Sequence, residues 1–124
     1  MKSGQYYIGD LCYVLRDSWD NVCDLIGTSE TGVYKLKNGT EFAIFNTTYG
    51  DGTYVDQNGN EYPVDSGTIG CVKVSKVEDK SGLSNGYVRK FSKPFDVMDV
   101  GGLLYFGDIE IQTNDDDDSF NEED

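Results

Sequence analysis

The sequence predicts an α+β, mostly β domain: a curled antiparallel sheet or small barrel with one short amphipathic helix and a disordered acidic C-terminal tail. Three observations carry this. Short β-branched and aromatic runs recur between Gly, Asn and Asp clusters. One segment only has helical spacing. Of the 23 acids, seven fall within residues 113–124, with no base among them. The 124 residues suffice for about one domain, so residues 1–112 are expected to form a single compact unit and 113–124 its tail.

Each element follows from local chemistry. Gln5-Tyr6-Tyr7-Ile8, stopped by Gly9-Asp10, reads as a first strand and turn. Residues 11–15 are apolar and fit strand or helix equally. Asp17 or Ser18 can N-cap a helix on which Trp19, Val22, Cys23 and Ile26 share one face, closed by Gly27. A helix this short needs a sheet to dock on. Val33-Tyr34-Lys35-Leu36 and Glu41-Phe42-Ala43-Ile44-Phe45 flank Asn38-Gly39, the signature of a hairpin with a type I′ turn. Thr53-Tyr54-Val55-Asp56 and Glu61-Tyr62-Pro63-Val64 repeat that logic around Asn58-Gly59. Pro63 lacks an N–H, which places its strand at an edge. Further strands are expected at residues 68–74, 87–91, 95–98, 103–106 and 109–111, with a polar loop over 78–86. Tyr6-Tyr7-Ile8-Gly9-Asp10 echoes Leu104-Tyr105-Phe106-Gly107-Asp108, as two strands ending in the same turn chemistry.

The net charge of -13 excludes a basic nucleic-acid-binding domain, which needs Lys and Arg against phosphates. Direct nucleic-acid binding is therefore not expected. No apolar run reaches the roughly 20 residues of a membrane span, and the N-terminus lacks the apolar stretch of a secretory signal. With no histidine, Ser-His-Asp and Cys-His catalysis and His metal ligands are excluded within the chain. Cys12, Cys23 and Cys71 are odd in number and lack C-x-x-C spacing. They read as buried, reduced thiols.

Two groups of residues point to chemistry. Asp51 and Asp65 lie at the open end of the second hairpin and Asp56 near its turn. Asp51 and Asp65, with Asp10 and with Cys12 or Ser66, make an alternative catalytic set for a small metal-dependent or carboxylate-based hydrolase. The opposing reading is turn chemistry: Asp bonds nearby amides and Gly supplies positive φ. Residues 56–61 fail the calcium-loop pattern, phosphate-binding glycine loops are absent, and no cofactor or metal is implied. The second group is the tail. Asp115, Asp116, Asp117, Asp118, Glu122 and Glu123 surround Phe120. Carboxylates there can replace phosphates on a Lys/Arg groove while Phe120 fills an apolar notch. A third reading, a small-ligand sponge acting against host signalling, would draw on Arg16, Arg89 and Lys90.

Ile8-Gly9-Asp10-Leu11-Cys12-Tyr13-Val14, Tyr49-Gly50-Asp51-Gly52-Thr53-Tyr54 and Val64-Asp65-Ser66-Gly67-Thr68-Ile69-Gly70 resemble the motifs of a family of small, uncharacterised tailed-bacteriophage proteins. The similarity spans about residues 6–75 and leaves out the C-terminal third. The family has no established activity, so no catalytic role transfers. The resemblance implies a viral origin and hence the host cytoplasm. Together these features favour a non-enzymatic accessory protein that binds and inhibits a host protein with a basic surface, through an acidic face and tail. The sequence sets no oligomeric state.

Overall fold

A computed structural model describes residues 1–27 and 31–113. The described residues form ten strands in two open antiparallel sheets. The first holds β1 (Gly4–Gly9), β2 (Gly32–Lys35), β3 (Glu41–Asn46), β6 (Thr68–Lys73) and β7 (Tyr87–Phe91), in the order β2-β3-β6-β1-β7. The second holds β4 (Gly52–Asp56), β5 (Glu61–Val64), β8 (Val97–Val100), β9 (Leu103–Phe106) and β10 (Ile109–Gln112), in the order β5-β4-β10-β9-β8. The mostly β class with one helix, α1 (Trp19–Ile26), is as expected. The strands are shared between two open sheets, not closed into one barrel.

Two apolar layers explain the strand sequences. Tyr6 and Ile8 of β1, Ala43 and Phe45 of β3, and Ile69 and Cys71 of β6 face the second sheet, meeting Tyr54, Tyr62, Leu104, Phe106 and Ile111. Alternate residues Tyr7, Phe42, Ile44 and Val72 face the other way, onto Leu11, Val14, Leu15, Val22 and Ile26. The central strands of the first sheet are covered on both sides, so they read as continuous apolar runs. Removing this much hydrocarbon from water is the main driving force for the fold.

The helix buries Val22 and Ile26 but leaves Cys23 exposed and Trp19 half-buried, so the apolar stripe is narrower than its spacing suggested. Of the three cysteines, expected to be buried, only Cys71 is so. Ser18 stands at the N-cap, but its hydroxyl and amide both donate to the Glu78 carboxylate instead of capping the helix. Leu11–Tyr13 and Val74–Lys76 form 3-10 turns, and a third, Lys80–Asn85, occupies the expected polar loop.

Both Asn-Gly hairpins form, with a different turn. Leu36 and Thr40 close a loop of three residues, in which the Leu36 amide donates to Thr40 O at 2.8 Å and Gly39 takes φ +92°. Asp56 and Asn60 close the second in the same way, with Gly59 at φ +82°. A three-residue loop needs only one left-handed residue, the glycine, whereas type I′ needs two. Side chains select it: Asn38 accepts the Thr40 amide, and Asp56 the Asn58 and Asn60 amides. Pro63 does lie on an edge strand, β5. The two echoed segments are both strands, but their turns differ. Gly107 (φ +63°) and Asp108 join β9 directly to β10, whereas Gly9 (φ +155°) is the last residue of β1 and Asp10 starts a 3-10 turn. Thr113, expected to begin the tail, is buried and bonded to Gly102 O. The rest of the expected tail lies outside the described residues.

Candidate functional site

Asp10 is fully buried where β1 ends. Its Oδ1 accepts the Cys12 amide at 3.0 Å and the Ser66 hydroxyl at 2.8 Å. Its Oδ2 accepts the Asp65 amide at 2.8 Å and the Ser66 amide at 2.7 Å. The Ser66 hydroxyl lies 2.7 Å from that of Thr68 and accepts the Thr68 amide at 3.3 Å. Tyr7 closes the group by donating to Asp10 O at 3.0 Å. Two segments distant in sequence, the turn after β1 and the loop at residues 65–68, thus meet at one carboxylate. Four of the five alternative catalytic residues, Asp10, Cys12, Asp65 and Ser66, meet here.

The bonding decides what this cluster can do. A carboxylate has about four lone-pair positions, and each Asp10 oxygen already accepts two donors. None remains to take a proton from a substrate or nucleophile. Asp65 meets Asp10 through its backbone amide, and Cys12 through its amide with its thiol also bonded to the carboxylate. Burial, and then the Asp10 charge, push the Cys12 thiol up to about 12, which keeps it protonated and weakly nucleophilic. Burial, followed by the same charge, also raises the Tyr7 phenol well above its ordinary value. Native Cys12 and Cys71, the latter also held near 12 by burial, should react with iodoacetamide at pH 8 at least about a hundredfold slower than after unfolding. Mass spectrometry of the labelled chain checks this. Equal rates in the native and denatured chain would refute it.

No family model, curated protein or solved structure matches the chain.

Asp51 stands apart from this cluster. The pairing of Gly52 with Val64 puts Asp51 and Asp65 beside the open end of the hairpin, as the sequence indicated. Asp51 is exposed and makes no hydrogen bond to the Asp10 group. Among the described residues, no group of three or more Asp, Glu, Cys or His side chains is placed to hold a metal. Asp56 anchors the hairpin turn and accepts the Tyr62 hydroxyl at 2.8 Å. Burial works to raise its pKa, but the bonds from Tyr62, Asn58 and Asn60 outweigh it and hold the carboxyl below its ordinary value. Two of the three bases considered for a small ligand are already held in ion pairs. Arg16 pairs with Asp79 at 2.8 Å, and Arg89 pairs with Asp108 at 3.0 Å while lying over the Phe91 ring. Residues Asp115, Asp116, Asp117, Asp118, Phe120, Glu122 and Glu123 lie outside the described residues.

A second surface was not legible in sequence. The outer face of the second sheet carries one cross-strand row of Val100, Leu103, Gln112, Val55 and Glu61, beside a row of Met98, Tyr105 and Glu110. Val100 is 54% exposed, Met98 45% and Val55 39%. These are large apolar side chains on an uncovered sheet, bordered by carboxylates. They alternate with the buried Tyr54, Leu104, Phe106 and Ile111. Alternation marks a half-buried strand, but it does not say which short strands become neighbours.

Proposed function

We propose that the chain is a non-enzymatic bacteriophage accessory protein that binds a basic, nucleic-acid-binding host protein and blocks its anionic ligand. The supporting observation is the outer face of the second sheet. Apolar anchors at Val55, Met98, Val100, Leu103 and Tyr105 sit beside Glu61 and Glu110. From Thr113, one residue past the central strand β10, the chain runs directly into Asp115-Asp116-Asp117-Asp118. Buried anchors ringed by charge are the arrangement in which apolar contact supplies affinity and electrostatics supplies approach and specificity. The saturated bonding of Asp10 supports a binding role over carboxylate catalysis. No helix among the described residues is long and apolar enough to cross a membrane. The proposed setting, the host cytoplasm, rests on the phage resemblance alone.

The test compares the intact chain, the chain ending at Thr113, and Val100→Lys as baits for bacterial lysate. The expected partner has a basic surface and loses its nucleic acid when bound. Its affinity should fall steeply with added salt, because exposed charges are screened over about 8 Å at physiological ionic strength. Removing residues 114–124 or introducing Val100→Lys should each weaken binding by about tenfold or more. Salt-insensitive capture, or capture that leaves nucleic-acid binding intact, would overturn the reading.

A further inference from the structure

The chain has ten bases against 23 acids, yet four of its lysines line one cleft. Lys2, Lys35, Lys73 and Lys76 surround a space of about 150 Å³ at one end of the first sheet, with Tyr6, Gly39 and Glu41. Strand register assembles it. Lys35 pairs with Glu41, and Lys73 pairs with Tyr6. Phe42 lies opposite Val72, so Glu41 and Lys73 are neighbours one step further along. Lys35, Glu41, Lys73 and Tyr6 therefore form a row across four adjacent strands, on the face that carries Ala43 and Cys71. The Tyr6 hydroxyl donates to the Lys2 carbonyl oxygen at 2.9 Å and so holds the Lys2 main chain beside the row. Gly4 leaves room for the Lys73 stem, since a methyl group there would lie 3.2 Å from Lys73 Cε.

Among the described residues, no carboxylate forms an ion pair with a lysine of this cleft. The ion pairs among the described residues are Arg16–Asp79 and Arg89–Asp108, and neither involves these lysines. Among the described residues, four lysines and one carboxylate, Glu41, line the cleft, in a protein of net charge -13. Like charges held together repel, so a cluster of this kind is stabilised when an anion enters it. The volume selects the anion's size. At roughly 30 Å³ per water, the cleft of about 150 Å³ has room for a phosphate or pyrophosphate group. Lysine serves such a group as a point charge with three donors.

We infer that this lysine cleft is a binding site for the phosphate group of a small anionic ligand. Nothing in this inference depends on a protein partner. A long nucleic-acid backbone is excluded as the natural occupant, because a chain of net charge -13 repels the successive phosphates that would lie outside the cleft. The site takes one or two phosphates at the end of a small molecule.

The experiment titrates inorganic pyrophosphate into the intact isotope-labelled chain at constant ionic strength and follows backbone amide shifts. Saturable shifts are expected at Gly39, Glu41, Lys73 and Lys76, and not at Lys80, Lys90 or Lys93. Lys73→Gln and Lys35→Gln should each weaken binding by about tenfold. Lys35 is exposed and Lys73 half-buried, and an unchanged amide spectrum away from the cleft would show that each variant is folded. Glu41→Gln removes the one repelling charge and should tighten binding by about three- to tenfold. Shifts that never saturate, that spread over all lysines, or that persist unchanged in Lys73→Gln would overturn the inference. Tighter binding of a single-stranded oligonucleotide than of pyrophosphate would also overturn it.

Discussion

Gly70→Ala is expected to abolish cooperative folding near room temperature. Gly70 lies in β6, the central strand of the first sheet, opposite Ile44 on one side and Gly9 on the other. A Cβ at that position would sit 2.2 Å from the Ala43 carbonyl oxygen and 2.9 Å from Leu11 Cδ1. The first contact is with the backbone of a strand hydrogen-bonded to β6, which cannot withdraw without breaking the ladder. Ordinary overpacking costs about 1–3 kcal/mol. A clash with fixed backbone in the middle of a sheet should exceed that, at about 4 kcal/mol or more. Gly59→Ala is the contrasting change. Nothing lies within 4 Å of its Cβ position, but φ is +82°, so its cost is conformational, about 1–2 kcal/mol. Urea denaturation of both variants separates close packing from backbone strain. A Gly70→Ala chain that loses less than about 1.5 kcal/mol would show that the β3–β6 contact is looser than described.

Asp10→Ala should cost about 3–5 kcal/mol, the second largest effect. The substitution removes the acceptor from the amides of Cys12, Asp65 and Ser66 and from the Ser66 hydroxyl. Each buried donor left without a partner costs about 1–3 kcal/mol. Asp10→Asn should recover little, because its amide nitrogen would face backbone donors where an oxygen is required. Ser66→Ala loses one hydroxyl partner of Asp10 and should cost only about 1–2 kcal/mol. Thermal or urea unfolding gives the ranking Asp10→Ala, Asp10→Asn, Ser66→Ala in decreasing severity. If Asp10 were instead held ready for catalysis at the expense of stability, its removal would stabilise the chain, reversing the order.

Local chemistry was readable from the sequence and long-range pairing was not. Val22 and Ile26 announce a helix by spacing, and Gly27 ends it, with φ +56° and its amide on Cys23 O. Asn38-Gly39 and Asn58-Gly59 announce hairpins, though the side chains of Asn38 and Asp56 redirect the turn type. The sequence also brought Asp10, Asp65 and Ser66 into one discussion. It could not reveal that the donors to Asp10 are mostly backbone amides, since every residue but proline has one. That fact converts an apparent set of reactive side chains into a clasp between loops. Lys2, Lys35, Lys73 and Lys76 show the same limit. They are scattered along the chain, and only the order β2-β3-β6-β1 makes them neighbours.

The position of β10 bears on how the chain acquires its structure. It pairs with β4 on one side and β9 on the other, so the last described strand is the middle of its sheet. Until residues 109–112 have emerged from the ribosome, the β4–β5 and β8–β9 hairpins have nothing to join them. Such distant pairing slows folding, into the millisecond-to-second range for β-rich domains of this size. During that interval the apolar inner faces of both hairpins stay open to association with other nascent chains. The carboxylates that follow Thr113 are translated just after the strand that ends this exposure.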